Sequence, residues 1–205
     1  MKLLLTSAGI STQAISDELL KMAGKTFTEL KVAFIPTAAD TYEDKWFVIK
    51  DRKQLTDLGM SVMDVNINGK TPQEVSTALG GCDIIFVAGG NTFYLLQKIR
   101  ESGADQVIKD LVERGVIYIG SSAGSVVVGP SLKPIKTSDD PSQAPQLKSF
   151  EGLGFVDFVI LPHSGKEKYL SKHNALVEEY KDRYKLILIT DEQAIAVEDG
   201  EYKII

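Results

Sequence analysis

The chain predicts an α/β protein, a three-layer arrangement in which a mostly parallel sheet carries helices on both faces. Three observations lead there. Short apolar runs recur along all 205 residues. The runs are continuous rather than alternating, as in strands covered on both sides. Helix start and stop signals stand between them, so strand and helix succeed one another in turn.

The expected strands fall at residues 2–6, 32–36, 62–65, 84–88, 116–119, 156–161 and 186–190. Thr71-Pro72-Gln73-Glu74 opens a helix with a capping box. Threonine and glutamate there satisfy each other's backbone N–H, and proline occupies the first helical position, where a missing N–H does no harm. Gly24, Gly80, Gly103 and Gly115 stand where helices end. Between 166 and 184 the spacing of Tyr169, His173, Leu176 and Tyr180 puts all four on one helix face. The last stretch departs from the pattern: 194–198, Asp199-Gly200 and 201–205 read as a hairpin with a tight turn. Residues 131–148, with three prolines, form the least regular segment. No repeat or linker divides the chain, so one α/β domain over 1–205 is expected.

Composition narrows the function. Hydrophobic residues at 43% and charged residues at 25% suit a globular core. A net charge of -5 without a block of like charge offers nothing to nucleic acid or an anionic membrane. No apolar stretch approaches the ~20 residues of a membrane span, and 1–5 is too brief for a signal-peptide core. Cys82 is the only cysteine, which excludes an internal disulfide and a cysteine-built metal site. The expectations are a cytoplasmic location, no metal or cofactor, neither nucleic acid nor membrane as partner, and a monomer or homodimer.

The strongest chemical signal is Gly120-Ser121-Ser122-Ala123-Gly124, which follows one apolar run and precedes a helical segment. A serine at the apex of a strand-turn-helix, with glycine on either side, exposes its hydroxyl beyond the sheet and turns backbone N–H groups toward it. An ordinary glycine-rich βα turn would share the pattern. Ala88-Gly89-Gly90-Asn91-Thr92 follows another run. There the N–H of Gly90 is the candidate second oxyanion donor beside that of Ala123. Asn91 or Thr92 is placed to cap the next helix and to border the substrate. The chain has two histidines. His163 follows a run and so stands at a strand end, where crevices of open α/β sheets form. His173 sits on the helix face and reads as a packing residue. If a histidine activates Ser122, His163 is the better placed. For the carboxylate that orients it, Glu192 follows a late run, while Asp139 and Asp140 lie in the irregular segment.

Taken in order, Gly89-Gly90-Asn91-Thr92-Phe93, Gly120-Ser121-Ser122-Ala123-Gly124 and Leu161-Pro162-His163 resemble the peptidase E family of serine peptidases, which includes aspartyl dipeptidases and, more distantly, cyanophycinases. The resemblance implies a fold similar to the class I glutamine amidotransferases (flavodoxin-like), with Ser122 as nucleophile and His163 as base. It implies Glu192 as third member of a catalytic triad, with Asp140 or Asp139 as alternatives. The arginine by which aspartyl dipeptidases of this family look as if they read the substrate has no counterpart in 164–174, which offers Lys166, Lys168 and Lys172. A lysine is a point charge without a fixed fork, so a preference broader than N-terminal aspartate is expected. The reading is hydrolysis of small, dipeptide-like peptides through an acyl-enzyme. An esterase of the α/β-hydrolase type and a silent ligand-binding module are the alternatives.

Overall fold

Alternation along the central strands divides their side chains between two cores. Leu3 and Leu5 face one and Leu4 the other, and the same period splits Ala33 from Phe34, Ile85 from Phe86 and Tyr118 from Ile119. Because both faces are covered, every position must be apolar, and the runs lose any visible alternation.

The computed structural model describes residues 1–205. In chain order the elements are β1 (Lys2–Thr6), α1 (Gln13–Ala23), β2 (Lys31–Ile35), α2 (Trp46–Asp57), β3 (Ser61–Asp64), α3 (Pro72–Leu79), β4 (Ile84–Val87) and α4 (Thr92–Ser102). They continue with α5 (Ala104–Glu113), β5 (Ile117–Ser121), α6 (Ala123–Val126), β6 (Phe158–Leu161), α7 (Glu167–Tyr180), β7 (Lys185–Leu188), β8 (Ala194–Glu198) and β9 (Glu201–Ile204). The main sheet has the order β3-β2-β4-β5-β1-β8-β9. Its first five strands are parallel, and β8 and β9 form the expected antiparallel hairpin. Asp199 and Gly200, both at positive φ, make its turn.

Helices α1 and α2 cover one face through Ile15, Leu19, Met22, Val48 and Leu55. The other face receives α3, α4 and α5, together with β6, β7 and α7. Two expected strands therefore lie outside the main sheet: β6 and β7 pair only with each other, in parallel. The edge of β1 that β6 would need is already taken by β8. The capping box at Thr71 forms as expected, and Gly24 and Gly103 end their helices in the left-handed conformation. What the topology accomplishes is convergence. The chain leaves β4 through Gly89-Gly90, β5 through Ser122, β6 through Pro162-His163 and β7 through Thr190-Asp191, all toward one crevice.

Candidate active site

Ser122 stands at the end of β5 with φ 49° and ψ −108°, a conformation that L residues rarely adopt. Its N–H donates to the carbonyl of Thr6 at 2.9 Å, and its own carbonyl accepts from Ser125 and Val126, so the turn is held from both sides. Glycine is required around it by sheer proximity. A Cβ on Gly124 would stand 2.0 Å from the carbonyl oxygen of Val87, and one on Gly120 would stand 2.6 Å from the backbone of Gly124.

The Ser122 hydroxyl reaches 2.9 Å to Nε2 of His163. The other ring nitrogen, Nδ1, lies 2.6 Å from Oδ1 of Asp191. The second oxygen of that carboxylate pairs with the Lys166 ammonium. With Asp191 ionised, Nδ1 carries the ring proton and Nε2 is free to accept from the serine. The backbone of His163 is fixed as well: its N–H donates to Ser7 Oγ at 3.0 Å, and its ring stacks on Tyr169 at 5.2 Å between centroids.

Burial lowers the pKa of His163 below its ordinary value, against the opposing pull of the Asp191 hydrogen bond, and the nearby lysines 166 and 168 lower it further. Burial raises Asp191, but hydrogen bonds from Lys166 and His163 outweigh it and hold the carboxyl below the usual range. The pair is thus poised as neutral imidazole beside carboxylate at neutral pH.

Two N–H groups complete the arrangement. Those of Gly90 and Ala123 find no acceptor in the protein, and both residues border a cavity of about 100 Å³ that also contains Ser122 and His163. A larger cavity of about 430 Å³ also borders Ser122, Gly90 and His163.

The sequence pattern of Peptidase family S51 matches residues 3–205. The chain belongs to that family. It is a hydrolase of the serine peptidase type. An uncharacterized peptidase of Listeria innocua is 35% identical over 180 residues, covering 88% of this chain and 84% of the relative. Peptidase E of Escherichia coli O6:K15:H31 is 31% identical over 169 residues, 82% of this chain and 70% of that protein. Among solved structures, a candidate peptidase E from Listeria monocytogenes EGD-e superposes with a TM-score of 0.89 at 31% identity, covering 100% of this chain and 97% of that one.

Within this S51 chain the sequence-derived candidates are not all brought together. Ser122, His163, Gly90, Ala123 and Thr92 border the small cavity. Glu192, expected beside the imidazole, is exposed, and the residue that touches His163 is its neighbour Asp191. The turn explains the exchange. The Thr190 hydroxyl accepts the Glu192 N–H and the Thr190 carbonyl accepts the Gln193 N–H, so Glu192 is held on the outside of the bend. Asn91 does not reach the substrate crevice either. Its Oδ1 caps α4 at the N–H of Tyr94, and its Nδ2 donates to Asp139 Oδ1 and to the carbonyl of Asp140. Asp139 receives Thr92 N–H at 2.6 Å, and Asp140 caps the short turn at Ser142, so neither alternative carboxylate meets His163. His173 is buried as expected, but its helix face abuts the site: it lines the small cavity and stacks on Tyr169 at 5.7 Å. No helix is long and apolar enough to cross a membrane.

Proposed function

We propose that this protein hydrolyses small peptides through an acyl-enzyme on Ser122. The observation that carries the reading is the unbroken line Ser122 Oγ, His163 Nε2, His163 Nδ1, Asp191 Oδ1, with steps of 2.9 Å and 2.6 Å at its two hydrogen bonds.

Ser122 Oγ adds to the scissile carbonyl carbon while its proton passes to His163 Nε2. The carbonyl oxygen becomes an oxyanion, and the free N–H groups of Gly90 and Ala123 stabilise it. His163 then returns the proton to the leaving nitrogen, the C–N bond breaks, and an ester on Ser122 remains. Water repeats the addition with His163 as base, releasing the acid and restoring the serine. Asp191 holds the imidazole in the productive tautomer and offsets its charge when protonated.

Two cavities that both border the nucleophile support a substrate of about two residues. The larger has Tyr42, Trp46 and Phe47 as walls, a setting suited to an apolar leaving residue. The relatives named peptidase E favour a peptide as the substrate. Chain order counts against an α/β-hydrolase esterase, whose carboxylate precedes its histidine; here Asp191 follows His163. A fluorophosphonate probe tests the proposal: it should add to Ser122, as read by peptide mass, and the adduct should be lost in Ser122→Ala. Absence of labelling, or equal labelling of the variant, rejects it.

A further inference from the structure

The small cavity beside Ser122 is polar in a way that the acyl-transfer chemistry does not use. Ser138 Oγ is fully buried and has no hydrogen-bond partner, yet its residue borders the cavity. His173 is 5% exposed, borders the same space, and its ring, unlike that of His163, makes no hydrogen bond within the protein. The Ser138 hydroxyl has thus been taken out of water and left without a partner, which costs stability unless something else pairs with it, and the unpartnered His173 ring stands beside it.

We infer that Ser138 and His173 form the side-chain subsite for the acyl residue of the substrate, and that it selects a short, uncharged, hydrogen-bonding side chain such as threonine, serine or asparagine. The inference rests on the acyl-transfer reading of Ser122. The carbonyl whose oxygen enters the hole belongs to the acyl half, and this cavity contains both free N–H donors, those of Gly90 and Ala123. The larger cavity contains Asp191 and lacks Ala123, which assigns it to the half that His163 protonates.

Size and charge narrow the class. A volume of about 100 Å³ is below the roughly 150 Å³ of an engineered cavity that admits benzene, room for a side chain of a few heavy atoms. No lysine or arginine borders this cavity, whereas the half-buried Asp139 carboxyl does. That carboxyl already accepts from Asn91, Thr92 and Asp140. An acidic side chain placed there would be desolvated without a cation and against another acid. Lys166 is committed to Asp191, and Lys168 lies over the Tyr169 ring and borders the other cavity.

The test is kcat/KM for Thr-Leu, Val-Leu, Asn-Leu and Asp-Leu with the wild type, Ser138→Ala and His173→Phe. Threonine and valine differ by one hydroxyl at nearly constant shape, so their ratio reads the hydrogen bond alone. The wild type should favour Thr-Leu over Val-Leu by at least about tenfold and Asn-Leu over Asp-Leu. In either variant the first ratio should fall to within about twofold of unity, since one partner of the hydroxyl is gone. Ser138→Ala removes an atom that bonds to nothing, so it folds, and it keeps the test open should His173→Phe fail to do so. A wild-type ratio near one, a preference for Asp-Leu, or ratios unchanged in the folded variants overturns the inference. So does a protein whose Ser122 takes the fluorophosphonate probe yet cleaves none of the four. Loss of probe labelling would instead reject the acyl-transfer reading itself.

Discussion

His163 Nδ1 lies 2.6 Å from Asp191 Oδ1, while the adjacent carboxylate, Glu192, is exposed. One peptide unit therefore separates a group that can orient the imidazole from one that cannot. Asp191→Asn should lower kcat by about 10³ to 10⁴ with the fold intact, because an amide no longer fixes the tautomer or balances an imidazolium. Glu192→Gln should leave kcat within about twofold. Steady-state kinetics of the two variants on one dipeptide separates them, and the reverse ranking would return the role to Glu192.

The pH dependence follows from the direction of the His163 shift. The imidazole must be neutral to accept the serine proton, and burial lowers its pKa below 6.5. Thus kcat/KM should rise with pH through an apparent pKa below 6.5 and be level above neutrality. Lys166 adds to that depression, both as a nearby cation and by holding the other oxygen of Asp191. Lys166→Met should therefore move the ascending limb to higher pH. A limb unchanged in Lys166→Met, or one centred above 6.5 in the wild type, contradicts the electrostatic account.

Backbone strain at the nucleophile has its own signature. Ser122 is one of three non-glycine residues at positive φ, and Gly120 and Gly124 leave the turn no room to relax. Residues held in such regions cost of order 1 kcal/mol or more. Ser122→Gly removes that cost and Ser122→Ala keeps it, and both lose the hydroxyl. The glycine variant should melt about 2 to 4 °C above the alanine variant. Equal melting temperatures in calorimetry would mean that the turn is unstrained.

Much of this was legible in the sequence because strands buried on both faces, helix caps and the Gly-x-Ser-x-Gly turn are each set by a few neighbouring residues. The peptidase E resemblance carried by Gly89-Gly90, Ser122 and His163 agrees with the family S51 match over 3–205. The choice between Asp191 and Glu192 was not legible. Its clue is parity: Ile187 and Ile189 are buried while Leu188 is exposed, and Asp191, in step with the isoleucines, is the less exposed of the two acids. In Leu186-Ile187-Leu188-Ile189 every residue is apolar, so the sequence hides that phase. The separate pairing of β6 with β7 was hidden for another reason. It depends on which strand occupies the free edge of β1, a contact between the two ends of the chain. The cavity role of His173 likewise needs α7 to be docked before it exists.

Asp51 supplies the last expectation. It lies on α2, is 3% exposed, and borders the larger cavity with no cation within ion-pairing distance. Burial raises its pKa to about 6, against the smaller opposing effects of a Ser121 hydrogen bond and the charge of Lys50. A second buried oxygen, Gln54 Oε1, lacks a donor nearby, and both oxygens crowd the space that a Cβ on Gly9 would need. In the unfolded chain Asp51 titrates near 3.8. Below that value both states are protonated and no cost arises. As pH rises from about 4 to 6 the unfolded state ionises first, so stability falls, and above about 6 the full penalty is present. Asp51→Asn escapes it, so this variant should be more stable than wild type by about 1 to 3 kcal/mol at pH 8 and no more stable at pH 4. Urea midpoints at the two pH values give the comparison. A variant equally or less stable at pH 8 would mean that the carboxylate is solvated or paired in solution. A gain confined to high pH would show that the fold tolerates a destabilising acid beside its nucleophile, a pattern typical of sites kept for function at the expense of stability.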